Sequence, residues 1–84
     1  MWKNGCVEID GQLVYFEAKV YDEGSVFGIG NGRVSKLTLD TDDGLLAHYD
    51  RGWDVRPVND LAKQALTAVL EKFDGADAHW DEDE

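Results

Sequence analysis

Apolar and polar residues alternate through the first quarter of the chain. Val7, Glu8 and Ile9 lead into Asp10-Gly11, and Gln12, Leu13 and Val14 resume the run beyond it. Val14, Phe16, Ala18 and Val20 then share one face, with Tyr15, Glu17, Lys19 and Tyr21 on the other. A period of two is the signature of strands with one buried and one wetter side. Asp-Gly between two such runs supplies the positive φ angles that a type I′ turn needs. The predicted hairpin sets Val7 opposite Val14 and Gly5 opposite Phe16.

Asp22-Glu23-Gly24 ends the second strand, and residues 25–32 form a stretch containing Gly28, Gly30 and Gly32. Residues 33–40 resume strand character, with Ser35, Leu37 and Leu39 on one face and Val34, Lys36 and Thr38 on the other. Thr41-Asp42-Asp43-Gly44 has turn composition, residues 45–50 give a fourth strand, and residues 51–54 are expected to leave the sheet. An additional short strand over 25–29 is an open alternative. Beyond Pro57, Asn59 or Asp60 can cap a helix. Ala62, Ala65, Leu66, Val69, Leu70 and Phe73 fall at helical spacing as one apolar stripe. Asp60 and Lys72 suit the helix dipole, and Gly75 is a stop signal.

The helix stripe and the apolar sheet face need each other as cover. The expected fold is therefore α+β: a four-stranded, mainly antiparallel sheet packed against one C-terminal helix, in the order ββββα. Residues 1–75 form a single domain, and 76–84 are expected to be a disordered acidic tail, because dense like charge with little apolar content favours solvation.

Charge narrows the field of partners. Eighteen acids against eight bases give −10 over 84 residues, so duplex DNA, RNA and anionic membranes should be repelled. Basic protein surfaces should attract the chain. No apolar run is long enough to span a membrane, and the first residues lack the apolar stretch of a secretory signal, which together predict a cytoplasmic protein. Cys6, the single cysteine, excludes an internal disulfide and is expected as a buried strand thiol.

Several residue groups invite chemistry. Asp40, Asp42 and Asp43 before Gly44 do not match a calcium loop, since the glycine and the final glutamate fall at the wrong positions. They read as a solvated turn, and no metal site is expected. His48 and His79 have no local nucleophile signature around them, so no catalytic residues, no cofactor and no enzymatic activity are expected. The glycine-rich stretch offers an anion cradle of backbone N–H groups, with Gly30, Gly32, Arg33, Lys36, Arg51 and Trp53 as its ligand-binding set. Its other reading is close backbone packing between strands. Arg51 could also latch the strand end to the helix lead-in by pairing with Asp50, Asp54 or an upstream acid, with Trp53 plugging one end of the core.

Two stretches carry a resemblance. Ser25-Val26-Phe27-Gly28-Ile29-Gly30-Asn31-Gly32-Arg33-Val34-Ser35-Lys36-Leu37 and Tyr49-Asp50-Arg51-Gly52-Trp53-Asp54 resemble paired motifs of a family of small uncharacterised bacterial and phage or prophage proteins. The resemblance covers residues 14–73. It implies a mobile-element context and no mechanism, and the acidic tail lies outside it.

The expected function is that of a small acidic, non-enzymatic binding protein. Its most concrete form is a phage or mobile-element inhibitor of a bacterial defence system, working in the cytoplasm of the bacterial host cell. It would contact a host protein with a basic surface by imitating nucleic acid, through Asp40, Asp42, Asp43, Asp81, Glu82, Asp83 and Glu84. The alternatives are a nucleotide- or anion-binding module built on the glycine-rich loop, and a structural homodimer through an aromatic sheet face carrying Trp2, Tyr15 and Tyr21.

Overall fold

Asp10 and Gly11 have φ angles of 50° and 86°, the pair of positive values a type I′ turn requires. The hairpin they close pairs β1 (Trp2–Ile9) antiparallel with β2 (Gln12–Val20). Val7 stands opposite Val14 and Gly5 opposite Phe16, the register predicted from the alternation. This hairpin opens the computed structural model of the protein, which describes residues 1–75, 78 and 80.

Three further strands follow: β3 (Val34–Thr41), β4 (Gly44–Asp50) and β5 (Trp53–Val55). Each pairs antiparallel with its predecessor, giving one five-stranded sheet in the order β1-β2-β3-β4-β5. The fifth strand is thus not residues 25–29, and residues 51–54 do not leave the sheet as expected. Arg51 takes φ 57°, Asp50 N–H donates to the Gly52 carbonyl at 2.9 Å, and the chain reverses within two residues. Trp53 then lies opposite Tyr49, their rings edge-to-face at 4.9 Å, and that aromatic pair anchors a strand of only three residues.

Residues 25–32 fold back on themselves instead. Gly28 N–H donates to Ser25 O at 3.1 Å, Asn31 N–H to Gly28 O at 3.0 Å, and Ile29–Asn31 makes one 3₁₀ turn with Ile29 buried. A Cβ on Gly28 would collide with the Gly32 carbonyl oxygen, so close backbone packing is what this glycine serves.

The helix α1 (Asp60–Asp74) begins where Asn59 Oδ1 accepts from Ala62 N–H at 2.8 Å, and ends at Gly75, φ 83°, whose N–H donates to Glu71 O at 2.9 Å. Ala62, Ala65, Leu66, Val69 and Leu70 are buried and Phe73 is half-buried. They cover the sheet face that carries Val14, Phe16, Ala18, Val20, Leu37, Leu39, Ala47 and Tyr49, and Phe16 meets Phe73 edge-to-face at 5.8 Å. Among the described residues no helix is long and apolar enough to cross a membrane.

The opposite sheet face has no second layer among the described residues. It carries Trp2, Cys6, Tyr15 and Tyr21, all exposed. Cys6 is therefore not the buried thiol expected. Val7 faces inward opposite Val14, and the two-residue period sends its neighbour Cys6 outward beside Tyr15.

Candidate functional site: two ends of an open sheet

In a meander the turns of alternate hairpins fall at the same end of the sheet. The turns after β1 and β3 are therefore neighbours, and they gather acids. Glu8 lies opposite Leu13, Asp10 sits in the first turn, and Asp40 lies between Tyr15 and Leu45 on the open face. Asp42 and Asp43 are exposed at the second turn, which Asp43 N–H tightens by donating to Thr41 Oγ1 at 3.1 Å. None of these five carboxylates takes part in an ion pair among the described residues. No group of three or more potential metal ligands occurs among those residues either. The remaining acids expected to contact a partner, Asp81, Glu82, Asp83 and Glu84, lie outside the described residues.

At the other end, the structure divides the ligand-binding set predicted around the glycine-rich stretch. Gly30, Gly32 and Arg33 line a hollow of about 260 Å³ together with Asp74, and Arg33 makes three hydrogen bonds there. Its Nε donates to Tyr21 O at 2.8 Å, its Nη1 to Phe73 O at 3.0 Å, and its backbone N–H to Asp74 Oδ1 at 3.0 Å. A Cβ on Gly32 would overlap the Asp74 carboxylate. The anion held at this loop is the protein's own Asp74. Arg33 is a clamp that joins the end of β2, the start of β3 and the helix C-terminus, where a cation also suits the dipole.

Trp53 lies apart from that set, half-buried beside Tyr49 and Trp80. Trp80, expected in a solvated tail, is instead half-buried and packed against the core, as is Ala78. The Trp80 ring meets Trp53 edge-to-face at 6.5 Å, and its Nε1–H donates to Thr67 Oγ1 at 3.3 Å. Both positions fall within the expected tail, and an indole can bury area on an exposed neighbour despite flanking acids. For 76, 77, 79 and 81–84 the tail expectation lies outside the described residues.

Lys36 and Arg51 do come together, in a cleft of about 340 Å³ shared with Lys19, Tyr21, Ser25, Phe27 and Ser35. Both cations approach one carboxylate: Lys36 Nζ is 3.8 Å and Arg51 Nε 3.3 Å from Asp50 Oδ1. Of the partners expected for an Arg51 latch, the structure gives Asp50: the Arg51 side chain, 66% exposed, pairs with that sequence neighbour. Asp54 pairs with His48 Nδ1 at 3.0 Å instead. What ties Arg51 down is its backbone N–H, donated to Ser35 O at 2.9 Å.

Sequence reasoning missed Lys19, Tyr21 and Phe27 as cleft residues. For Lys19 and Tyr21 the signal was present, because alternation puts both on the open face with Lys36. Phe27 carries no such signal, since its position depends on how the glycine-rich stretch folds back. The Tyr21 phenol is held below its ordinary value, first by a hydrogen bond with Lys19. The Lys19 charge, a Ser35 hydrogen bond and the Lys36 charge add to this, against desolvation.

A five-stranded antiparallel meander with one helix on one face and two charged ends defines an α+β domain. The chain belongs to the family described as a domain of unknown function, DUF7678, whose model matches residues 1–74. An uncharacterised family is what the resemblance carried by the two sequence motifs implied. No curated protein and no solved structure matches the chain.

Proposed function

We propose that this chain is a non-enzymatic binding protein that acts by protein–protein contact. Its acidic hairpin end would dock on a partner surface that ordinarily holds nucleic acid. The observation that carries this reading is the gathering of Glu8, Asp10, Asp40, Asp42 and Asp43 at one end of the sheet without ion-pair partners among the described residues. Unpaired carboxylates on a rigid edge, in a chain of net charge −10, present a field that steers basic surfaces into contact and keeps polyanions away. The origin that fits this behaviour is a phage or prophage. The partner that fits it is a nucleic-acid-handling protein of bacterial defence, met in the host cytoplasm.

The test is competition. A partner captured from bacterial lysate by the immobilised full chain is identified, then challenged with duplex DNA and with salt from about 50 to about 500 mM, a range over which the screening length shrinks severalfold. Mimicry requires that both release the partner. It also requires that Asp40→Asn/Asp42→Asn/Asp43→Asn lower the association rate more than it raises dissociation. A complex indifferent to DNA, to salt and to the triple change would reject the acidic end as the contact.

A further inference from the structure

The cleft at the other end of the sheet has features that a merely solvated surface does not need. Lys19 and Lys36 are directly opposite across β2 and β3, and like charges facing each other in a sheet are destabilising. Asp50, opposite Lys36 on β4, offsets only part of this, because Arg51 draws on the same carboxylate oxygen. Among these four groups, three cations less one carboxylate leave two positive charges, in a chain whose total is −10. Glu17 stands in the next row of this face, outside the lining.

The backbone here is shaped as well as charged. The register of β2 against β3 shifts between Lys19 and Val20, leaving Ser35 as the extra residue of a bulge, a device that re-aims side chains and recurs beside functional sites. The bulged Ser35 carbonyl accepts the backbone N–H of Arg51, which sits at φ 57°, a region costly for a residue other than glycine. The bulge thus fixes a strained arginine at the rim of the cleft. Two aromatic rings flank it: Phe27, 57% exposed, and Tyr21, 46% exposed.

We infer that this cleft binds a small phosphate monoester bearing a planar ring, a nucleoside monophosphate in its chemical class. Lys19, Lys36 and Arg51 would take the phosphate, and Tyr21 and Phe27 the base. Two positive charges match a phosphate monoester, which carries about two negative charges at neutral pH. Exposed aromatic faces are stacking platforms for bases, and the arginine fork suits phosphate oxygens. A volume of about 340 Å³ falls at the small end of ligand pockets, which span about 300–1,000 Å³. The net charge of the chain argues for one nucleotide over a polynucleotide, whose further phosphates would meet the acidic surface. The site lies at the opposite end of the sheet from the acidic turns, so either can fail without the other.

The experiment is a titration of the ¹⁵N-labelled full chain with adenosine 5′-monophosphate and cytidine 5′-monophosphate. Inorganic phosphate, adenosine and a single-stranded oligonucleotide run in parallel. The amide signals of Lys19, Tyr21, Phe27, Lys36 and Arg51 should shift together, and the monophosphates should bind about tenfold tighter than phosphate or adenosine alone. Arg51→Gly should weaken binding about tenfold with no loss in melting temperature, because glycine accepts the positive φ. Gln64→Ala, exposed on the helix, should leave binding unchanged. The inference is overturned by shifts absent from the cleft, by Arg51→Gly or Lys36→Gln binding as well as wild type, or by phosphate alone binding as tightly as the nucleotides. Tighter binding of the oligonucleotide overturns the single-nucleotide class.

Discussion

The backbone N–H of Arg33 donates to Oδ1 of Asp74 at 3.0 Å, across 41 residues of chain, and through it the first residue before β3 is fastened to the last residue of the helix. The Arg33 side chain reinforces the bond by donating to Phe73 O at the same helix end. Part-buried hydrogen bonds to charged groups contribute about 1.5–3 kcal/mol each. Asp74→Ala should therefore lower Tm by about 6–24 °C for a domain of this size, and Arg33→Ala by a comparable amount. Arg33→Lys should recover less than half of the loss, because one ammonium does not reproduce a planar fork that reaches Tyr21 O and Phe73 O together. Thermal melts of the three variants decide it, and full stability of Asp74→Ala would reject the clamp.

Helix-on-sheet packing makes a graded prediction along the apolar stripe. Leu66 is fully buried, whereas Phe73 is half-buried at the helix end. Leu66→Ala should cost about 2–5 kcal/mol. Phe73→Ala loses a partial burial and one edge-to-face pair with Phe16, about 2 kcal/mol. Chemical denaturation should rank Leu66→Ala as the more damaging change, and the reverse order would misplace the core.

Trp80 converts an expected tail into a cover for Trp53. Trp80→Ala should lower stability by about 1 kcal/mol and remove the exciton signal that paired indoles give in far-ultraviolet circular dichroism. Thr67→Val, which deletes the acceptor of the Trp80 Nε1–H bond, should weaken that signal without abolishing it. Truncation after Gly75 should match Trp80→Ala in both readouts. An unchanged spectrum in all three variants would show that the indoles do not pair.

The parts of the fold visible in the sequence were those set by local rules. Asp10-Gly11, the alternation around Val14 and Phe16, the Asn59 cap and the stripe from Ala62 to Phe73 each follow from turn chemistry or from a period of two or 3.6. β5 was not visible, because three residues are too few to show alternation and its anchor is the contact of Trp53 with Tyr49. The same limit applies to the sites. Asp42 and Asp43 announce themselves as a turn, but that Asp10 joins them is a consequence of meander order. Arg33 and Arg51 look alike as loop cations beside glycines. Only the fold separates them, engaging Arg33 with three backbone or carboxylate partners and leaving the Arg51 guanidinium largely exposed.

The Tyr21 phenol provides a titration that reports on the basic cleft directly. It is lowered from 10.0, first by a hydrogen bond with Lys19, and Lys36 acts last among the causes. A phenol is neutral when protonated, so a value depressed in the folded state means that folding favours the phenolate. The stability this contributes is present above pH 10.0 and is lost as pH falls through the folded value, leaving none at neutral pH. The absorbance difference between wild type and Tyr21→Phe should therefore titrate with a midpoint below 10.0. Lys19→Gln should move that midpoint up, and Lys36→Gln should move it up by less. Because Tyr21 is exposed, added salt should screen the charge contribution and raise the midpoint as well. A phosphate monoester seated between Lys19 and Lys36 would bring negative charge beside the phenol and raise the midpoint in wild type, and by less in Arg51→Gly at the same sub-saturating ligand concentration. A midpoint at or above the ordinary phenol value, in the absence of ligand, would show that Lys19 does not face Tyr21 in solution.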